Sequence, residues 1–201
     1  MSKISCLMLT YNRFEMMVES VQCFLAQKHS DKELIIVDNG TKEYYDRVQA
    51  VVGGYDNIVH IQAKPNWELG YYRNIGLAAC TGDFVATWDD DDIHHPDRLK
   101  MQLELINVRG VDAVLLMDFT TRTITKEGVM DSVGRMTMGL DGTILFRNPR
   151  DGTIGYPELR RGEDTAFLQR LSHTLKYKIM VVKNDPGLYV YRFHGDNITT
   201  K

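Results

Sequence analysis

The chain has 201 residues, enough for one sizeable domain or at most two small ones. Its 43% apolar and 25% charged content is ordinary globular usage and excludes a disordered chain. A formal net charge of -3 argues against a general nucleic-acid-binding surface.

In chain order, "KISCLMLTY" (3–11) is a short, nearly continuous apolar run, as in a strand buried on both faces. In "NRFEMMVESVQCFLAQ", Phe14, Met17, Val18, Val21 and Phe24 fall on one helical face. "KELIIVDNG" (32–40) predicts a second buried strand ending in a turn, "EYYDRVQAVV" a helix, and "NIVHIQA" (57–63) a third strand. "ELGYYRNIGLAACTG" predicts a helix closed by Gly82, with Ile75, Ala78 and Ala79 inward. "DFVATWD" (83–89) predicts a fourth strand. "HHPDRLKMQLELI" predicts a helix with Pro96 in its first turn and Leu99, Leu103 and Ile106 as the buried stripe.

This alternation over residues 1–107 implies parallel strands with right-handed crossovers, a Rossmann-like half. The second half reads differently. "VDAVLLMDFTTRTIT" (111–125) predicts a long strand or hairpin arm with "KEGV" as the turn. Residues 132–162 are loop-rich, with one strand-like run, "TILFR" (143–147). "RGEDTAFLQRLSHT" (161–174) starts a helix at an acidic pair, and "KYKIMVV" (176–182) and "GLYVYRF" (187–193) predict strands. With no repeat or linker, one domain over 1–201 is the economical reading. Cys6, Cys23 and Cys80 are odd in number, widely spaced and set in apolar contexts, which predicts reduced core thiols of a cytoplasmic protein. "ISCLML" is too short for a signal peptide, and no run approaches the ~18 apolar residues of a membrane span. Peripheral membrane contact stays open.

In such sheets ligands bind beyond the carboxyl ends of the strands. Thr10, Tyr11 and Asn12 follow the first strand, Asp38 and Asn39 the second, and Asp89, Asp90, Asp91 and Asp92 the fourth. Three segments thus deliver polar groups to one edge, which predicts a pocket. A solvated acidic helix start would account for one or two aspartates, not four. Packed carboxylates repel, and their pKa values rise unless a cation sits among them. Mg²⁺ or Mn²⁺ with a bound diphosphate would relieve that repulsion. Asp38 either accepts hydrogen bonds from a base or ribose or simply forms a turn before Asn39 and Gly40.

Taken together, "ISCLMLTYNR…VESVQCFLAQKHSDKELIIVDNG", "NWELGYYRNIGLAACTGDFVATWDDDDIHHPDRL" and "RRGEDTAFLQRL" resemble the family 2 glycosyltransferases of GT-A fold. The resemblance runs through residues 1–107 and recurs at 160–171 and 189–198. It implies an α/β fold: a Rossmann-like, mostly parallel central sheet flanked by helices, with a smaller acceptor-side β and loop region. Residues 1–107 would be the nucleotide-sugar half and 108–201 the acceptor and catalytic-base half. The implied activity is metal-dependent, inverting transfer of a sugar from a nucleotide-diphosphate donor to a hydroxyl of a glycan, lipid-linked or protein-linked acceptor. UDP is the first expectation for the nucleotide, with GDP or dTDP as alternatives, and Mn²⁺ or Mg²⁺ as the ion.

Residue by residue, Thr10 and Asp38 match nucleoside-contact positions, with Tyr11 beside them, and Arg73 a position near the base and diphosphate. Asp89, Asp90 and Asp91 fall in the DxD-type region. Asp91 is the first choice of metal ligand, joined by Asp89, while Asp90 faces ribose or donor sugar and Asp92 caps the following turn. His194 is a third metal ligand or a diphosphate contact, with a surface or hydrogen-bonded structural residue as the alternative. Asp164 falls at the catalytic base and Glu163 at an acceptor contact. Arg13 is a candidate phosphate contact. His94 and His95 read as helix-cap neighbours, and Trp67 and Tyr72 as core residues by default, with stacking on a base or sugar as the alternative.

Two other functions fit a Rossmann-like half. A nucleotidyltransferase acting on sugar phosphates would carry a glycine-rich basic loop after the first strand, but "LTYNRFEMM" has no glycine. A non-catalytic nucleotide-sugar-binding module would not need Asp164.

Overall fold

The structure is a computed structural model that describes residues 2–65 and 68–194. Trp67 and the "GDNITT" stretch after His194 lie outside the described residues. The first half runs β1 (Ile4–Thr10), α1 (Phe14–Leu25), β2 (Lys32–Asp38), α2 (Lys42–Val52), β3 (Ile58–Gln62), α3 (Leu69–Ala79) and β4 (Phe84–Thr87). These four strands are parallel, with β1 between β2 and β4 and β3 beyond β2. Apolar residues of β1 and β2 alternate between two cores. Cys6, Met8, Leu34 and Ile36 pack with α1 and α2, whereas Leu7, Ile35 and Val37 pack with α3. Burial on both faces explains the near-continuous apolar runs.

After β4 come β5 (Ile93–His94), α4 (Arg98–Arg109), β6 (Ala113–Leu116), β7 (Asp118–Thr125), β8 (Gly128–Arg135), β9 (Leu145–Arg147), α5 (Glu163–Gln169), β10 (Ile179–Val182) and β11 (Tyr189–Phe193). The large sheet has the order β10-β6-β9-β4-β1-β2-β3, in which only β9 is antiparallel to its neighbours. A second sheet, β5-β11-β7-β8, stands beside its carboxyl edge. The α/β architecture, with a mostly parallel central sheet and a smaller β region, matches the expectation. Leu99, Leu103 and Ile106 of α4 form the predicted stripe, each contributing about 1.5–3 kcal/mol by burial.

Four local expectations are corrected. Residues 111–125 are not one arm: the chain breaks at Met117, leaving β6 in the large sheet and β7 in the small one. The helix predicted from His94 starts at Arg98, and Pro96 precedes it, because Ile93 and His94 pair with Val190 and Tyr189 of β11. Strand pairing with a distant segment outweighs local helix signals there. α3 ends at Ala79, capped by Cys80 rather than Gly82, and its buried face is Gly70, Tyr72, Arg73 and Gly76; Ala78 is exposed. The inward face is set by close approach: a Cβ on Gly70 would lie 1.9 Å from the Pro157 carbonyl oxygen. Gly70→Ala is therefore expected to lower stability by about 1–3 kcal/mol, read from urea unfolding. Finally, His94 is not a helix-cap neighbour. It is buried, its ring lies 3.8 Å from Trp88, and its Nδ1 accepts from Arg98 (2.7 Å). Burial and the Arg98 charge push its pKa well down.

Cys6 and Cys80 are buried and Cys23 half-buried, all as free thiols, and burial pushes each thiol pKa up. Among the described residues, no helix is long and apolar enough to cross a membrane.

Candidate active site

A cleft of about 660 Å³ opens where the two sheets meet. Its walls carry Arg13 after β1, Arg73 of α3, Asp89 to Asp92 after β4, Asp141, and Glu163 and Asp164 at the start of α5. The topology explains the gathering. β1 and β4 end side by side, and the small sheet carries the second half of the chain back over that edge. A second groove of about 650 Å³, behind the small sheet, is lined by Glu19, Cys23 and Arg122 and holds no cluster of carboxylates.

The four aspartates have four different environments. Asp89 is the most open, with Arg73 Nη2 at 3.9 Å. Its place depends on Gly142, where a Cβ would lie 2.6 Å from Asp89 Oδ2. Asp90 is buried and accepts from Arg13 Nη2 (2.5 Å) and Nε (3.3 Å), and its carboxyl also meets the Thr10 hydroxyl. Asp91 pairs with Arg13 Nη1 (2.5 Å) and lies 3.3 Å from His194 Nε2. Asp92 is not a turn cap. Its buried carboxylate accepts from the Tyr189 hydroxyl and from the Arg192 backbone N–H (2.9 Å), tying the run to β11. The Arg192 guanidinium continues the link to the Asp91 carbonyl and to Glu19. Asp92 thus carries His194, one residue beyond β11, to the aspartate run.

Electrostatics separates them further. Desolvation by the cleft walls, although part of the side chain stays open to the cleft, is only partly offset by Arg73 and pushes Asp89 up to about 6, and Asp91 and Asp164 nearby add to the rise. Burial, partly offset by Arg13, pushes Asp90 up to about 7. Burial alone would raise Asp91 too, but the His194 hydrogen bond and the Arg13 charge outweigh it and hold its carboxyl below the usual range.

Arg73 joins the two halves of the chain. Its Nε donates to the buried Glu163 (3.0 Å), so Glu163 is a structural partner of Arg73 rather than an acceptor contact. Its guanidinium lies 5.5 Å from the Tyr156 ring centre, and its Nη1 is buried without a hydrogen-bond partner among the described residues. Asp164, the next residue, is half-buried on the cleft wall; its Oδ1 accepts from the Thr165 N–H (2.7 Å). Thr165 also donates to Asp141 (2.9 Å), whose pKa burial raises.

Thr10 and Asp38 are register partners at the ends of β1 and β2, and both are buried. Thr10 pairs with the Tyr44 hydroxyl. Asp38 accepts from the Gly40 N–H (2.6 Å) and lies 3.2 Å from His60 Nε2. So Asp38 does form the turn, and a histidine holds its other oxygen. Tyr11 is exposed and outside the cleft lining, and Tyr72 is a core residue. Sequence reasoning missed His60, which sits mid-strand, and Asp141, a single acid between loop residues; neither has a local signal.

The donor set suits a divalent cation in kind: carboxylates of the aspartate run line the cleft, and the His194 imidazole lies behind them, 3.3 Å from Asp91. Among the described residues, no three His, Cys, Asp or Glu side chains are gathered to hold an ion by themselves. An ion here would rest on one or two protein ligands, Asp91 first, with phosphate oxygens completing the shell, as Mg²⁺ sites commonly do. The partnerless Arg73 nitrogen fits an anionic ligand alongside.

The family model described as glycosyl transferase family 2 matches residues 5–133. The chain belongs to this family. A glucosyl-dolichyl phosphate glucuronosyltransferase of Haloferax volcanii is 39% identical over 97 residues, covering 47% of this chain and 31% of the relative. A putative glycosyltransferase, EpsE, of Bacillus subtilis is 29% identical over 174 residues, covering 79% of this chain and 62% of the relative. Among solved structures, residues 1–349 of S. aureus TarS in complex with UDP superpose with a TM-score of 0.75 at 23% identity, covering 96% of this chain and 61% of that one. The mannosyltransferase PcManGT of Pyrobaculum calidifontis, in complex with GDP-Man and Mn²⁺, gives 0.71 at 15% identity, covering 96% of this chain and 56% of that one. At those identities the likeness is one of fold, the GT-A fold of glycosyltransferases. This family-2 chain spans less than two thirds of the length of each of these relatives. The matched family region includes the aspartate run but ends before Asp164, whose standing rests on the shared cleft.

Proposed function

We propose that the chain catalyses metal-dependent, inverting transfer of a sugar from a nucleotide-diphosphate donor to an acceptor hydroxyl. The observation that carries this reading is the one cleft holding the aspartate run, Arg73 and Asp164 together. UDP is the first candidate nucleotide, because TarS has been captured with UDP and with UDP-GlcNAc; PcManGT, with GDP-Man and Mn²⁺, keeps GDP as the alternative and supports a metal. The acceptor is a glycan or glycoconjugate, and no nucleic acid takes part.

In this reading Thr10, Asp38 and Tyr11 receive the nucleoside, and Arg73 and Asp89 the diphosphate side. Asp90 faces the ribose or donor sugar. Asp91, with Asp89 or His194 as a second ligand, would hold Mn²⁺ or Mg²⁺, which supplies charge stabilisation for the leaving diphosphate when bound. Asp164 takes the proton from the acceptor hydroxyl as its oxygen attacks C1 of the donor sugar, and the C1–phosphate oxygen bond breaks on the opposite face. The products are the glycosylated acceptor and the free nucleoside diphosphate, with the proton on Asp164. Desolvation of the closed cleft would sharpen each of these interactions.

A thermal-shift screen of UDP-, GDP- and dTDP-sugars with Mn²⁺ tests the reading. One donor is expected to raise the melting temperature in a metal-dependent way, by the equivalent of about 2.7 kcal/mol at a hundredfold excess over Kd. No shift with any donor would end the proposal. The same screen run from pH 8 to pH 6 should show weakening affinity, because a proton on Asp89 (about 6) competes with the ion and one on Asp90 (about 7) removes a negative charge beside it. The metal-free protein should behave oppositely. These two carboxyls bind protons in the folded chain where the unfolded chain does not, so they add stability as pH falls through that window.

A further inference from the structure

The Arg13 guanidinium bridges two members of the aspartate run. Its two ends lie 2.5 Å from Asp90 and 2.5 Å from Asp91, a fork geometry with charge-assisted hydrogen bonds. Asn12, just before it, has a left-handed backbone (φ 52), which turns the chain out of β1 so that Arg13 lies over the cleft at the start of α1. The side chain is largely buried there, against carboxylates that are themselves nearly closed from solvent. Four adjacent aspartates need a cation, and the protein supplies one of its own.

We propose that Arg13 is the resident counter-ion of the aspartate run. It holds Asp90 and Asp91 through charge-assisted hydrogen bonds, and a divalent cation at Asp91 must share that carboxylate with the Arg13 charge, which opposes it. Arg13 thereby sets the metal affinity of the site and keeps the metal-free cleft assembled. The inference rests on the metal-dependent reading above.

The two effects are linked and opposite in sign. Arg13→Gln keeps the length of the side chain and removes its charge. Two measurements apply: Mn²⁺ affinity, from the electron paramagnetic resonance signal of free Mn²⁺, and the melting temperature with EDTA and with saturating Mn²⁺. Arg13→Gln is expected to bind Mn²⁺ about fivefold or more tighter than the native chain, the lower end of ordinary coupling between sites. It should also melt lower in EDTA and regain that loss with Mn²⁺. Arg13→Lys, a point charge without the fork, should fall between the two. A native chain that binds Mn²⁺ beside a folded Arg13→Gln of equal or weaker affinity overturns the inference and leaves the functional reading standing. A native chain that binds no Mn²⁺, with or without nucleotide, overturns both.

Discussion

Asp164→Asn is expected to lower the transfer rate by about 10²–10⁴-fold, the usual worth of a positioned general base, while donor affinity stays near its native value. The substitution keeps the shape of the side chain and its oxygen toward the Thr165 N–H, so the α5 start should stand. It removes the group proposed to take the acceptor proton. Asp164 shares a cleft wall with Glu163, which is committed to Arg73, and Asp141 nearby already accepts from Thr165. Neither is placed to take over. Single-turnover transfer rates beside donor titration by calorimetry separate the two effects. A variant with full rate would remove Asp164 from the mechanism, and one that lost donor binding as well would make it a binding residue.

The second large effect is expected at Asp91. Asp91→Asn should weaken Mn²⁺ binding by more than the about 10–100-fold that second-shell changes cost, and metal-dependent donor binding should fall with it. Asp91 is singled out because it alone of the run has its carboxyl pKa held down and also touches His194. The measurement is Mn²⁺ titration with and without nucleotide. An Asp91→Asn chain that binds Mn²⁺ like the native one would move the ligand role to Asp89.

Much of this site was legible in advance because strand ends are local. A buried strand announces itself by an apolar run, and the polar residue that ends it must lie at the carboxyl edge of a parallel sheet. The rule puts Thr10, Asp38 and the aspartates after β4 at that edge; the aspartates line the cleft, whereas Thr10 and Asp38 are buried and outside its lining. Asp164 needed the resemblance as well, since an acidic pair opening a helix is common. Residues whose role lies in a partner far along the chain were not legible. Asp92 was read as a turn cap, and its partner Tyr189 is 97 positions away. Glu163 was read as an acceptor contact, and its partner Arg73 is 90 positions away. The short pairing of Ile93 and His94 with β11 likewise overrode the helix signal of Pro96.

By itself, then, the sequence determined the alternating strands and helices, the parallel half-sheet, the edge that carries the site and the family. Those follow from periodicity and from residue types at strand ends, which act over a few positions. Only the tertiary structure decided how the four aspartates divide their work. Asp89 opens to the cleft, Asp90 and Asp91 share Arg13, and Asp92 ties β11 in place. Adjacent identical residues have the same local propensities, so only the burial and the distant partners given to each can tell them apart.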